Sequence, residues 1–436
     1  ELVTRLQPGQ VVNQLSGQVV LTRKDNLAIT CQEFQRTHPQ FDFLPKTFVL
    51  PNAETSARQY LKSNPLKYFI YKEALANRGE GIQLFKGNQL SDINFSEEAV
   101  LQEYLKNPLL INGYKFDFRV YVLVLSTDPL LIFKYQEGIA RFATQKYEKP
   151  RKHTLADLQT HLTNYSVNKN AVLQQNSKSQ KESSQSNMDI SEEDSEITQK
   201  DFQFKQKMTT VLQHLEDNYQ KYFRTEKDLQ RNLSQKMDEI IRATIMAAEP
   251  RFSAAAAANR TAQLPRKNFG FYGFDLILLQ NSEFKLLEVN ANPSTGCDSD
   301  VDFAIKKSLF IDLIKLTTPK KYFLGLKLVM KQMVPEGKMV DEKDVREFSR
   351  KVADLRWILQ QSDFQSQFEK LMAGMTGFEK KLLAQLKLDW KKKGGFQFLG
   401  VDFGVFDTAK YTDYLIECWR LGGEVGQEKV EDADGE

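Results

Sequence analysis

The segments Tyr272-Gly273-Phe274-Asp275-Leu276 and Leu286-Leu287-Glu288-Val289-Asn290-Ala291-Asn292-Pro293-Ser294 decide how this chain is read. Both are short apolar runs interrupted by oxygen-bearing side chains, and they predict two neighbouring strands. Residues two apart in a strand share a face, so Glu288 and Asn290 point one way while Leu287 and Val289 point into the core. Asp275, Glu288 and Asn290 then make a set of hard oxygen donors. Such a set suits Mg²⁺ held together with nucleotide phosphates, because Mg²⁺ takes a few protein oxygens and keeps positions for water and phosphate.

Other segments bear on the same chemistry. Lys72 ends a predicted strand at 68–72, and Asn77-Arg78-Gly79-Glu80-Gly81-Ile82 follows at short range. An ammonium beside a glycine turn can surround phosphate oxygens. An ordinary hairpin turn is the competing reading, since neither the P-loop order nor the Rossmann fingerprint is present. In Lys115-Phe116-Asp117-Phe118-Arg119-Val120-Tyr121 the charges alternate with apolar residues, which places Lys115, Asp117 and Arg119 on one strand face. Three charges on a face normally mean solvent. The strand is long and apolar elsewhere, so a charged face lining a cleft for a polyanion is the alternative. Arg141, in Gly138-Ile139-Ala140-Arg141-Phe142, adds a guanidinium matched to a transferring phosphoryl group. His161-Leu162-Thr163-Asn164-Tyr165-Ser166 is dense in hydrogen-bonding side chains, and alone it reads as a cap or turn. No Ser/His/Asp pattern, HExxH motif or kinase-type HRD and DFG set occurs.

The 436 residues are enough for more than one domain, and 41% apolar with 27% charged residues is a globular composition. A net charge of +3 gives no argument for nucleic acid, and no aromatic-rich basic module stands out. Cys31, Cys297 and Cys418 are widely spaced with no CxxC pair, which speaks against a disulfide framework or thiolate zinc site and fits a reducing compartment. There is no long apolar run for a membrane span and no basic-then-apolar leader pattern. The chain opens at Glu1, as a part of a longer polypeptide would.

Along the chain, a strand near 43–51 is bracketed by prolines, and 68–105 is strand-rich. Long β segments at 116–125 and 130–142 are joined by Ser126-Thr127-Asp128-Pro129, a hairpin signal. Residues 171–200 are so rich in Ser, Gln, Asn, Asp and Glu that they read as a disordered insertion. Apolar spacing predicts two helices within 202–248, broken near Arg224-Thr225-Glu226. The alanine run at 254–258 lies between Pro250 and Pro265 and reads as a mobile connection. Helices follow at 301–316, within 341–388 and at 411–419. Lys391-Lys392-Lys393, before Gly394-Gly395-Phe396, is either a solvated face or basic surface for an acidic partner.

Taken in order, these segments resemble the tubulin tyrosine ligase-like family. The resemblance runs over roughly 21–316 and rests on Leu21-Thr22-Arg23-Lys24-Asp25, the Lys72 to Gly81 region, Gln102-Glu103-Tyr104-Leu105, Asn107-Pro108-Leu109-Leu110-Ile111, the Lys115, His161 and Tyr272 segments, and the stretch ending at Ser294. The wording Ala140-Arg141-Phe142-Ala143-Thr144, His161 to Lys169 and Cys297-Asp298 is most similar to the polyglutamylase branch.

The resemblance implies an α/β (α+β) ATP-grasp fold, with the nucleotide held between two sheet-containing subdomains and a helical extension at the C-terminus. The implied units are an N-terminal subdomain at 1–65, a central one at 66–125, a C-terminal one at 126–320 and the extension at 321–436. It further implies Mg²⁺ on Asp275, Glu288 and Asn290, and ATP phosphates on Lys24, Lys72, Arg119 and Arg141 with the Gly79 and Gly81 loop. Gln102, Glu103, Tyr104 and Leu105 form the adenine hinge, Lys115 lies beside the base and Asp117 on the ribose. His161, Thr163 and Asn164 complete the phosphate and metal surroundings, and Arg119, Arg141 and Glu288 are the catalytic set. The implied activity is ATP-dependent addition of free glutamate to glutamate side chains of tubulin tails through an acyl phosphate. The implied protein is a monomer working on microtubules in the cytoplasm and cytoskeleton, including the cilium, basal body or axoneme, with neither nucleic acid nor membrane as partner. Ala291-Asn292-Pro293-Ser294 departs from the Ser-Pro-Ser wording of many relatives, near where the acceptor should lie. The alternatives are a ligase for glycine or for a non-tubulin acceptor and, from another class, a catalytically idle microtubule-binding scaffold. Retention of Asp275, Glu288, Asn290 and Lys72 speaks against the last.

Overall fold

The computed structural model describes residues 11–76, 80–89, 91, 93–127, 130–151, 154–155, 158–163, 204–219, 222–223, 228–258, 268–297, 299–317 and 394–400. The element order is β1 (Val12–Asn13), α1 (Val19–Thr22), α2 (Lys24–Thr37), β2 (Thr47–Leu50), α3 (Glu54–Ser63), β3 (Tyr68–Glu73), β4 (Ile82–Lys86), β5 (Ala99–Glu103), β6 (Leu110–Ile111), β7 (Tyr114–Thr127), β8 (Leu130–Tyr135), β9 (Ile139–Lys146), α4 (Leu158–His161), β10 (Lys205–Lys207), α5 (Met208–Asn218), α6 (Leu229–Ala258), β11 (Asn268–Leu278), β12 (Phe284–Ala291), α7 (Asp300–Thr317) and β13 (Phe396–Gly400).

The architecture is mixed α/β, built on two sheets. The smaller is four-stranded and antiparallel in the order β2-β5-β3-β4. The larger has nine strands organised around β7, which pairs with β11 along one edge and with β8 and β9 along the other. β12 extends it beyond β11, β10 beyond β9, and β13 beyond β8.

The sequence of β7 explains why the larger sheet can carry a site. Phe116, Phe118, Val120, Val122 and Val124 are all 0% exposed and share one core with α5, α6, β11 and β12. The opposite face is divided. Tyr121, Leu123 and Leu125 pack with Ile305, Leu309 and Leu313 of α7, whereas Lys115, Asp117 and Arg119 precede them on the same face. Each large apolar side chain stabilises by roughly 1.5–3 kcal/mol when buried. A slip of one residue would turn Phe116 and Phe118 toward the charged end of the opposite face and drive Lys115, Asp117 and Arg119 into the apolar core, so the register is strongly fixed.

The structure corrects several expectations. The β segment predicted at 130–142 is two strands, β8 and β9, separated at Gln136-Glu137-Gly138. Gly138 sits so close to β7 that a Cβ there would lie 2.6 Å from the Arg119 carbonyl oxygen, and its own carbonyl accepts from Met208 N. The alanine run is helix, since α6 continues through Pro250 to Ala258. Phe252 and Ala256 are buried one turn apart, so packing adds to the helix propensity of alanine. Phe396, shortly after the basic run, is 0% exposed and packs into the core beside α7. Lys391, Lys392 and Lys393, the 171–200 insertion, and the helices expected within 341–388 and at 411–419 lie outside the described residues. Among the described residues, no helix is long and apolar enough to cross a membrane.

Candidate active site

A cleft opens between the two sheets, the kind of concave place where small molecules bind. The smaller sheet contributes Ile70, Lys72, Ile82 and Gln102, followed by Glu103, Tyr104 and Leu105 where the chain leaves β5. The larger sheet contributes Lys115, Asp117 and Arg141 from β7 and β9, and Asp275, Ile277, Leu287, Glu288 and Asn290 from β11 and β12. Lys24 enters from the start of α2, and His161, Leu162 and Thr163 from the end of α4.

The oxygen donors do come together, although one detail of their strand was expected otherwise. β11 and β12 pair with Asp275 opposite Glu288 and Leu276 opposite Leu286, which leaves Leu287 as an extra residue in a β-bulge. Phe284 and Leu286 are buried before the bulge and Val289 after it. Leu287 therefore does not join the core as the alternation predicted. It turns to the cleft, and the bulge lets Glu288 and Asn290 share the cleft face while Leu286 stays inside. Asn290 Nδ2 lies 3.1 Å from Glu288 Oε1 and 3.4 Å from Asp275 Oδ2.

Charges in the site are closely matched. Arg119 forks onto Asp275, with Nη2 to Oδ2 at 2.9 Å, and Arg141 Nη2 reaches the same Oδ2 at 2.7 Å. Arg141 also forks onto Asp117 at 2.7 and 2.8 Å, and Thr163 Oγ1 donates to Asp117 at 2.5 Å. Burial pushes the Asp275 carboxyl upward, but the two guanidiniums outweigh it and hold the group well below the usual carboxylate range. Glu288 is raised, first by burial and then by the charge of Asp275. The two carboxylates, with Asn290 donating its amide N–H groups to both, belong to a set of side chains that fits a hard divalent cation, whose charge would relieve the crowding and to which Asn290 would turn its amide oxygen. Gly273 makes the arrangement possible, because a Cβ there would lie 2.7 Å from Arg119 Cδ as it crosses β11.

The lysines face the opposite balance. Burial lowers Lys72 and Lys115, each to about 8, and lowers Lys24. Lys115 Nζ donates to the His161 carbonyl at 2.7 Å and to Tyr104 Oη at 3.3 Å. His161 Nε2 lies 3.1 Å from the Thr154 carbonyl, which can only accept, so Nδ1 is the acceptor for Tyr104 Oη at 3.1 Å. His161, at 0% exposure, therefore braces Lys115 and Tyr104. Glu103 N and Tyr104 N are already committed, to the Lys46 and Tyr68 carbonyls.

Most of the expected residues thus line one cleft. Arg119 lies one layer back, behind Asp275. Gly81 shapes the turn after β3 with φ of 64°, and its neighbour Glu80 reaches the wall instead. Gly79 and Asn164 lie outside the described residues. The apolar lining formed by Ile70, Ile82, Leu162, Ile277 and Leu287 was not anticipated. The signal for two of these was available, since Ile70 stands two residues from Lys72 and Ile277 two from Asp275 on the same strand faces. Leu287 depends on the bulge.

Comparison with known proteins places the chain among relatives with matching sequence. The profile of the "Tubulin-tyrosine ligase family" matches residues 4–220 and 185–322. A "Probable beta-tubulin polyglutamylase" of Tetrahymena thermophila is 35% identical over 320 residues, 72% of this chain and 24% of that protein. "Tubulin polyglutamylase TTLL7" of Mus musculus is 29% identical over 380 residues, 85% of this chain and 38% of that protein. "Tubulin polyglutamylase TTLL5" of Homo sapiens is 35% identical over 315 residues, 72% of this chain and 22% of that protein. The chain therefore spans well under half the length of these relatives.

Proposed function

The chain belongs to the tubulin-tyrosine ligase family, and from its cleft we propose that it is an ATP-grasp ligase adding glutamate to glutamate side chains in the acidic tails of tubulin. One observation carries the proposal. A single cleft joins a hinge and apolar walls suited to a purine, the Lys24 and Lys72 ammoniums suited to phosphates, and the Asp275, Glu288 and Asn290 oxygens beside Arg141. The names of the relatives support glutamate and tubulin as substrates.

The chemistry follows from that layout. Ile70, Ile82 and Leu162 enclose the base, and Lys72 and Lys24 balance phosphate charge in surroundings too crowded for water to do so. An acceptor carboxylate oxygen attacks the γ-phosphorus, the bond from that phosphorus to the bridging oxygen breaks, and ADP leaves with the electron pair. The amine of the incoming glutamate then attacks the acyl carbon and loses a proton as phosphate departs. Arg141, fixed in place by Asp117 and Asp275, presents N–H donors toward the charge that develops on the transferring group. Asp275, Glu288 and Asn290 would hold Mg²⁺, which when bound supplies further charge neutralisation at the phosphates. The enzyme needs no covalent nucleophile, in keeping with the lack of a nucleophile–base pair in the sequence.

The test is incubation of the purified chain with ATP, Mg²⁺, labelled glutamate and microtubules. Label should enter tubulin and be lost with Glu288→Gln. Incorporation of glycine in its place would reassign the donor, and labelling of neither kind, where an active relative succeeds, would refute the proposal.

A further inference from the structure

The hydrogen bonds behind Lys72 run in a single direction. Lys72 Nζ donates to Gln102 Oε1 at 2.9 Å, Gln102 Nε2 donates to Thr47 Oγ1 at 2.8 Å, and Thr47 Oγ1 donates to the Pro45 carbonyl at 2.7 Å. An ammonium can only donate, so it must meet the oxygen of the amide. The amide nitrogen then faces Thr47, whose one hydroxyl proton already goes to Pro45, leaving its lone pairs to accept. The reverse orientation of the amide would set donor against donor at Lys72 and leave the Pro45 carbonyl without this partner.

The strands hold these groups in line. Thr47 on β2 stands directly opposite Gln102 on β5, and Gln102 stands opposite Ile70 on β3, with Lys72 next along that face. Thr47 and Gln102 are each 5% exposed, too enclosed for solvent to replace the hydroxyl readily. The backbone at Thr47 is tied as well, since Gln32 Nε2 of α2 donates to its carbonyl at 2.7 Å.

We propose that Thr47 is a positioning residue for the nucleotide, its hydroxyl fixing the Gln102 amide so that the amide oxygen holds the Lys72 ammonium at the phosphate end of the cleft. The proposal rests on the nucleotide reading given above. Thr47 touches neither nucleotide nor metal; it acts through Gln102. With the hydroxyl gone, the amide loses the acceptor that anchors its nitrogen end, and the oxygen that Lys72 meets on the side away from the phosphates is no longer held in place. The ammonium is then free to swing, and part of the affinity for the triphosphate goes with it.

The experiment compares Thr47→Val, which replaces the hydroxyl by a methyl of similar size, with Thr47→Ser, which keeps it. Binding of a non-hydrolysable ATP analogue with Mg²⁺ is measured on the full chain, with circular dichroism to confirm folding. Thr47→Val should weaken binding about tenfold, the scale of a lost hydrogen bond in a chain ending on a charge. Thr47→Ser should stay within about twofold of the unaltered chain. In turnover, Thr47→Val should raise KM for ATP and leave KM for glutamate unchanged. Thr47→Ala gives the same comparison should the valine variant fold poorly. Equal binding by the valine or alanine variant and the unaltered chain would overturn the proposal, as would a serine variant as weak as either, since packing rather than the hydroxyl would then matter. No binding by the unaltered chain would instead count against the nucleotide reading itself.

Discussion

Arg141 is shared between Asp117 and Asp275, forking onto the first at 2.7 and 2.8 Å and reaching the second at 2.7 Å. The three residues come from β9, β7 and β11, so one guanidinium joins the middle of the sheet to the pair of strands that carries the oxygen donors. Lysine keeps the charge but cannot make two parallel bonds to one carboxylate and a further bond to another. Arg141→Lys should fold normally and lower kcat by about 10²-fold, the cost of losing a preorganised donor. Steady-state kinetics with saturating ATP checks this, and a fully active lysine variant would show that charge alone suffices.

The bulge on β12 makes a contrast between two deletions. Removing Leu287 leaves Leu286 followed directly by Glu288, which restores regular alternation with Glu288 and Asn290 still on the cleft face. Mg²⁺-dependent binding of an ATP analogue should persist, weakened by about tenfold or less through loss of one apolar wall contact. Removing Val289 turns Asn290 into the core and should abolish that binding. Equilibrium binding of both variants decides, and similar losses in the two would contradict the register described.

Lys72 and Lys115 give a pH dependence with a definite sign. Burial holds each near 8, below the ordinary lysine value, so keeping them charged costs stability. That cost is full below about pH 8 and is relieved as the pH rises toward the ordinary lysine range. Phosphates beside Lys72 favour its charged form, so nucleotide binding just above pH 8 should take up protons and weaken as the pH climbs. Calorimetry in buffers of different ionisation enthalpy measures the uptake. Zero uptake would mean that Lys72 is not next to bound phosphate.

A buried ion pair away from the cleft gives a prediction about stability. Lys134 of β8, 1% exposed, pairs with Asp238 of α6 and donates to Ser234 Oγ at 2.8 Å. Asp238→Ala strands the ammonium in the core and should cost about 3–5 kcal/mol, whereas Lys134→Met with Asp238→Leu should be neutral or stabilising. Urea unfolding of the two variants makes the comparison.

Much of this was legible in the sequence because of strand alternation. The charged and apolar halves of β7 were visible in Lys115, Asp117 and Arg119 followed by Tyr121, Leu123 and Leu125. The pairing of Asp275 with Glu288 could be expected from the short connection between their strands. The place of Leu287 could not, because a bulge inserts one residue and leaves no mark on an apolar run. The helix through Pro250 was hidden for a different reason, since buried contacts of Phe252 and Ala256 override the local signal of a proline. The side-chain link from Thr47 to Lys72 joins residues of three strands, and only their pairing reveals it.

The most direct measurement follows oxygen from the acceptor. Tubulin-tail peptide carrying heavy oxygen in its glutamate carboxylates is incubated with the chain, ATP, Mg²⁺ and glutamate, and the released phosphate is weighed by mass spectrometry. Activation of the carboxylate in this cleft predicts one heavy oxygen in phosphate for each glutamyl residue joined directly to a labelled tail carboxylate, with both products lost in Glu288→Gln. Peptide bearing a single added glutamyl residue together with unlabelled phosphate would contradict it.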